Sequence, residues 1–301
     1  MSANLASLYG QQFSTSVALL LQQKMSKFRG AVTTGSYTGK QASPVDQVGA
    51  VSMQPVTSRF AVKVRTDAPV DRRWVLPYDF DLQQLVDTFD KLKVISDPRS
   101  VYVQNSVAAA NRQFDDLIIS AFTGTAQTGE TGATATTFPS GQVVGVSTGG
   151  TTSGLNVAKL KKGFEILLNN EVDTDSDPIY CAITAKQNTD LLNEIQVISA
   201  DFKNEQKPSV VDGKLSSFLG INFIHSQRLI SATDDLGSTA SRSLPMWAKS
   251  GMHLGLWSDM QTKVRQAEEL KGNPWEVYLF LSAGATRLEE KKVVRIWARE
   301  S

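Results

Sequence analysis

Hydrophobic positions along the 301-residue chain recur every three to four residues in some stretches and alternate with polar ones in others. The two periods separate helices from strands. From Asp97, the run DPRSVYVQNSVAAANRQFDDLIISAF offers an N-cap acid, Pro98 at the first helical position and a stripe of Val103, Val107, Ala110, Phe114, Leu117 and Ala121. This predicts one long helix over 98–122, with Val107, Phe114 and Leu117 as core. At about 1.5 Å per residue it would run roughly 35 Å before Gly124. A second stripe, Val157, Leu160, Phe164 and Leu167, predicts a helix that turns Lys159, Lys161 and Lys162 outward. A third, Phe13, Val17, Leu20 and Phe28, interrupted by Lys24, predicts an amphipathic N-terminal helix that packs on the chain's own core or on a neighbour.

Shorter patterns fill the remainder. A strand in IYCAIT, a helix through AKQNTDLLNEI and a strand in FLGINFIH form a mixed α and β unit. After residue 245, MWAK, HLGLW, TKVRQAE, WEVYLFLS and VVRIWA are β-rich runs divided by turns, an antiparallel sheet. Between 29 and 80 only RFAVKVRT and RRWVLPYDF read as strands, and together they suggest a long two-stranded arm. Isolated ribbons of this kind are marginal in water, so the arm needs another surface to lie on. The fold class is α+β.

Composition excludes several functions. With 31 Lys and Arg against 30 Asp and Glu, the net charge of +1 supplies no long-range field to steer nucleic acid or an anionic membrane. The single Cys181 excludes an internal disulfide, and its apolar setting fits a buried small hydrophobe in a chain made for a reducing cytoplasm. The apolar run VALLL is too short to span a membrane and lacks the basic flank of a secretion signal, so no membrane partner is expected.

Three patterns resemble chemical sites and fail on spacing or context, and a zinc site fails on count. RGAVTTGSYTGKQ (29–41) ends in Gly39-Lys40 like a phosphate loop, but Thr34 stands where the first glycine belongs and Gln41 where a magnesium-binding hydroxyl belongs. GVSTG around Ser147, with His225 and His253 downstream, has the spelling of a serine-hydrolase elbow, yet TGGTTSG follows it where a helix must start. Asp173, Asp175 and Asp177 match the opening of a calcium loop that then needs a glycine and a glutamate, and Pro178 and Thr184 occupy those places. Two histidines and one cysteine are too few for an ordinary zinc site. The expectation is a protein with no catalytic residues, cofactor or metal.

The run DRRWVLPYDFDLQQLVDTFDKLKVISDPRSVYVQNSVAAANRQFDDLIISAFTGTAQTGETG resembles major capsid proteins of tailed bacteriophages with the Hong Kong 97-like fold. The resemblance lies in the paired arginines before a strand, in DKLKVISDP and in the acidic helix end leading to TG. It extends to DGKLSSFLGINFIHSQRL and GATRLEEKKVVRIWA, covers most of 45–301 and is weakest over 1–44. It implies an N-terminal arm (1–28), an extended loop (29–80), a peripheral domain (81–154) with its spine helix over 98–122, an axial domain (155–244), and C-terminal strands (245–301) that complete both sheets. Phe13, Leu20, Lys40, Lys63, Arg72, Arg73 and Trp74 would make inter-subunit contacts, and TTGSYTGKQ would lie near the base or tip of the loop.

The implied function is structural: an icosahedral shell of hexamers and pentamers, assembled as a procapsid in the host cytoplasm and enclosing double-stranded DNA without sequence preference. Implied partners are further copies of the chain, a portal protein and an optional decoration protein. A separate scaffolding protein is expected, because no scaffolding segment precedes the arm. Some relatives cross-link a loop lysine to an asparagine; Lys40 or Lys63 fits the lysine, and no asparagine is singled out. An encapsulin-like compartment shell is the alternative with the same fold, and a hydrolase using Ser147 is the alternative from another class.

Overall fold

The computed structural model of the chain describes residues 22–40, 42–56, 58–59, 62, 65–86, 99–150, 154–194, 210–211, 213–237 and 240–300. These fall into two compact units.

In the first unit, three strands lie in the order Met252–Gln266, Trp275–Arg287 and Tyr78–Val86, of which 258–266, 275–282 and 79–86 belong to it. Their alternation sends Phe80, Leu82, Leu279 and Leu281 to one face. There they line a cavity of about 190 Å³ with Ser106, Ala109, Ala110 and Gln113 of the helix α1 (Arg99–Thr123). On the opposite face, Arg265 and Gln83 both bond the buried carboxylate of Glu276, and the Lys263 ammonium lies 5.6 Å from the Phe280 ring centre.

The second unit is built on a sheet ordered Ser217–Phe218, Ile221–His225, Ile179–Ile183, Ser241–Ala248, Val293–Arg299 and Val143–Val144, with Ser231–Ala232 beside Ser241–Ala248. Helix α2 (Val157–Asn169) packs on it. Close approach is possible because a Cβ on Gly163 would meet Ile296 and Met246 at 3.2 Å. Asn156 caps α2 by accepting the Lys159 N–H at 2.8 Å. Helix α3 (Ala185–Leu192) starts with a reciprocal capping box between Thr184 and Gln187. An aromatic cluster of Phe28, Phe122, Trp247 and Tyr180 fills the core, and the Asp115 carboxylate fixes Phe28 by accepting the N–H groups of Lys27 and Phe28 at 3.1 to 3.2 Å.

Several sequence expectations need correction. The face of α1 turned inward carries Ser106, Ala110, Phe114, Ile118 and Phe122, whereas Val107 and Leu117 are only half-buried. Both stripes pass through Phe114; beyond it Ile118 and Phe122, at i+4 and i+8, offer more apolar surface than Leu117 and Ala121. Ile118→Ala should therefore cost about 3 kcal/mol in denaturant unfolding of the subunit, and Leu117→Ala clearly less.

Lys159 is fully buried rather than turned to water: its stem follows the first turn of α2 back, Nζ donates to the Gly154 carbonyl at 2.8 Å, and burial pushes its pKa down to about 8. FLGINFIH is a hairpin, not one strand, because Leu219 and Gly220 both take positive φ, as a type I′ turn requires. RRWVLPYDF is two strands, Val70–Val75 and Tyr78–Val86. The helix expected over 13–28 is absent from its described part: 22–28 is irregular, Phe28 is buried and Met25 is exposed. The remainder of that stripe and the Asp97-Pro98 start signal lie outside the described residues.

Candidate inter-subunit ribbon and its root

The described residues among 29–78 belong to the second unit, and their contacts divide into a buried root and an exposed ribbon. At the root, Thr33–Ser36 pairs in parallel with His253–Leu256, and the Tyr37 N–H continues the ladder to the Leu256 carbonyl at 2.8 Å. Thus TTGS is a strand, and the exposed Lys40 sits in the bend after it.

His253 fastens this root. The Thr33 hydroxyl donates to the Met252 carbonyl at 2.7 Å and so is free to accept from His253 Nδ1–H at 2.9 Å, while the Tyr37 hydroxyl donates to Nε2, also at 2.9 Å. Both bonds suit a neutral ring, and burial pushes the His253 pKa down to about 4. An unfolded chain holds this ring near pKa 6.5, so its contribution to stability is complete above pH 6.5, declines as the pH falls toward 4 and is gone below that. Unfolding measured between pH 7 and 4 should show up to about 3 kcal/mol of loss that His253→Gln lacks.

The ribbon follows. Ala42–Val48 pairs antiparallel with Val70–Val75, setting Asp46 opposite Arg72 and Val48 opposite Val70. The first ribbon strand is therefore Ala42–Val48, and of the expected strand RFAVKVRT the described positions 59, 62, 65 and 66 lie outside any strand. Val70–Val75 is braced on its other side by Ala126–Thr128, which in turn pairs with Thr134–Thr136. Trp74 Nε1 donates to the Gly129 carbonyl at 2.7 Å, and its ring lies where a Cβ on Gly132 (φ 73°) would meet it at 3.0 Å.

The neighbouring arginines separate as strand alternation requires. Arg72, on the exposed side, bonds Asp46 at 2.5 Å. Arg73 is buried and forms a bidentate pair with Glu290, 2.7 and 2.5 Å. This corrects its assignment to an inter-subunit contact, since its fork is already used inside the subunit. Glu290 also faces Arg287, whose Nη1 donates to the carbonyls of Ala121, Phe122 and Gly124 at 3.2, 3.0 and 2.6 Å. One guanidinium thus closes the C-terminal end of α1, where carbonyls lack helical partners and the helix dipole is negative. The sequence pattern passed over Arg287, Glu290 and Asp115 and met His253 only as a candidate partner of Ser147; the one available signal was a polar or charged residue within an otherwise apolar run.

Beyond these anchors the ribbon is bare. Val48 (68%), Val51 (59%), Met53 (100%), Val56 (88%), Val62 (89%) and Val70 (71%) are exposed in the single subunit. Phe13, Leu20 and Lys63 lie outside the described residues. The other chemical patterns find no assembly: Ser147 is in an exposed turn, and His225 Nε2 bonds the Leu215 carbonyl. The Asp173 carboxylate is spent on the N–H groups of Asp175 and Ser176, and the Asp177 carboxylate on the N–H of Ser250. Among the described residues no group of His, Cys, Asp or Glu could hold a metal, and no helix is long and apolar enough to cross a membrane. Cys181 is buried, its thiol pushed up to about 12 by desolvation.

This arrangement of sheets, long helix and ribbon is that of phage capsid proteins. The capsid of cyanophage P-SCSP1u superposes with a TM-score of 0.76 at 16% identity, covering 100% of this chain and 96% of that one. The cyanophage Pam1 capsid does so with 0.73 at 12%, covering 99% and 98%, and the capsid of Helicobacter pylori bacteriophage KHP30 with 0.72 at 10%, covering 100% and 99%. The fold is the Hong Kong 97-like α+β capsid fold. The chain matches no curated protein sequence. The phage capsid protein family matches residues 5–300, and the chain belongs to that family. It is a structural protein of the virion.

Proposed function

We propose that the chain is the major capsid subunit of a tailed phage, building an icosahedral head from hexamers and pentamers around double-stranded DNA and carrying out no reaction of its own. The observation that carries this reading is the ribbon with the stretch that joins its strands, which exposes six large apolar side chains, Val48 and Val70 in the strands and Val51, Met53, Val56 and Val62 between them, on an element too thin to bury them itself. A neighbouring copy supplies the missing surface. In this reading residues 1–28 are the arm, 29–80 the extended loop, 81–154 the peripheral domain, 155–244 the axial domain, and 245–301 the strands that complete both sheets. Lys40, Arg72 and Trp74 lie on or beside the loop and serve its contacts, with Phe13, Leu20 and Lys63.

The near-neutral charge suits a coat that holds the genome without tethering it. A scaffolding protein and a portal protein complete assembly in the host cytoplasm, and a decoration protein is compatible with the finished shell. Expression with and without a co-expressed scaffold, followed by negative-stain microscopy, should give closed shells in at least one case. Native particles should retain double-stranded DNA through nuclease digestion. Soluble subunits that never close, or shells that enclose a protein cargo, would overturn the reading.

A further inference from the structure

The outer strand of the first unit's sheet has a bare side. Residues 258–266 pair with Trp275–Arg287 on one side, and among the described residues no strand pairs with them on the other. Ala267 N–H bonds the Pro274 carbonyl at 2.9 Å, so odd positions turn their backbone groups inward and Met260, Thr262 and Val264 turn theirs outward. Residues 261–266 are all exposed. No proline interrupts the edge, as natural sheets often arrange to prevent pairing.

The sequence of this edge is complementary to itself. Laid antiparallel on a second copy about Thr262, SDMQTKVRQ sets Asp259 against Arg265, Met260 against Val264, Gln261 against Lys263, and Thr262 against Thr262. Opposite charges, apolar pairs and threonine pairs are the cross-strand combinations that stabilise a sheet. Moving the centre one or two positions toward the C-terminus sets Lys263 against itself or against Arg265, so like charges oppose both of those shifts. We propose that two copies of the chain pair along this edge across a two-fold axis through Thr262, continuing the sheet from one subunit into the next.

The outward backbone of Thr262 makes the central pair a hydrogen-bonded one, about 5.5 Å between Cα atoms, and places the Asp259–Arg265 and Gln261–Lys263 pairs at the closer positions, about 4.5 Å. Val264, 43% exposed in the single subunit, is then covered by Met260 of the second copy. Arg265 keeps its bond to Glu276, and its side chain, 61% exposed, still has N–H groups to offer. Such a contact is isologous and closes after two subunits.

The inference rests on the chain being a shell subunit, in which two-fold axes relate neighbours, and the test keeps the two apart. Gln261→Cys with Lys263→Cys places thiols at facing close positions, while the buried Cys181 stays inert. In shells verified by microscopy and then oxidised, most of the chain should run as dimers without reductant, with nothing larger. Monomers alone, or a ladder of higher oligomers, from intact shells would overturn the two-fold pairing and leave the capsid reading standing. Should the double variant not close shells, Thr262→Cys treated with a short bismaleimide puts one thiol on the axis, where dimers support the pairing and monomers alone from intact shells overturn it.

Discussion

Replacing Arg287 with alanine should lower subunit stability by about 4 kcal/mol, the order expected when one member of a buried charged network is removed. Arg287 is 1% exposed, and its fork reaches three carbonyls at the end of α1, the Glu290 carboxylate at 3.7 Å and the Phe138 ring at 5.2 Å. Truncation leaves those carbonyls buried without a donor at the negative end of a 25-residue helix. The Arg73–Glu290 pair survives, so the loss isolates the helix-closing role. Thermal unfolding of dissociated subunits should fall by roughly 10 °C. Arg287→Lys should recover only part of it, because an ammonium is a point charge and cannot present the same fork. A change under about 1 kcal/mol for alanine would mean that water replaces the guanidinium there.

What the sequence disclosed follows from which signals are local. The period of α1 is written in 25 consecutive residues, and its C-terminal end is legible to within one residue. The strands after residue 245 are legible as strands for the same reason, since alternation and turn residues need no distant partner. HLGLW and TKVRQ nevertheless prove to be one strand, Met252–Gln266, and the strands divide between two sheets where a single antiparallel one was expected. Lys159 was misplaced because the carbonyl that receives it comes from a loop that folds back over the helix start. Arg73 was misplaced because its partner Glu290 is 217 residues away, and nothing in RRW distinguishes an arginine aimed at a neighbour from one aimed home. The ribbon was legible through a lack of pattern: a stretch that cannot bury its own apolar residues points to a surface outside the chain. The antiparallel partner of Val70–Val75 was misread because ASPVDQV carries little β-propensity and its pairing is imposed by the strand beside it.

Exchanging Val48, Val51, Met53, Val56, Val62 and Val70 together for serine should abolish closed shells while leaving the subunit folded. In the single chain these side chains are between 59 and 100% exposed, so each exchange should shift subunit stability by no more than about 0.5 kcal/mol. In a shell the same side chains would be covered by a neighbour, and burying a valine or methionine is worth about 1.5 to 3 kcal/mol. Even with half of them covered, several kcal/mol would vanish from every copy of the contact, and a closed shell repeats that loss throughout. Arg72→Ala is the mild comparison, because a solvent-exposed pair with Asp46 contributes little and should only slow assembly or raise its threshold concentration. Arg73→Ala should behave differently from both, lowering subunit stability by about 3 kcal/mol because Glu290 then loses its bidentate partner. The three variants therefore separate folding from assembly, with circular dichroism and denaturant unfolding reading the first, and light scattering with microscopy the second. Normal shells from the six-serine variant would show that the ribbon touches nothing, and an insoluble product would place its apolar residues in the subunit's own core.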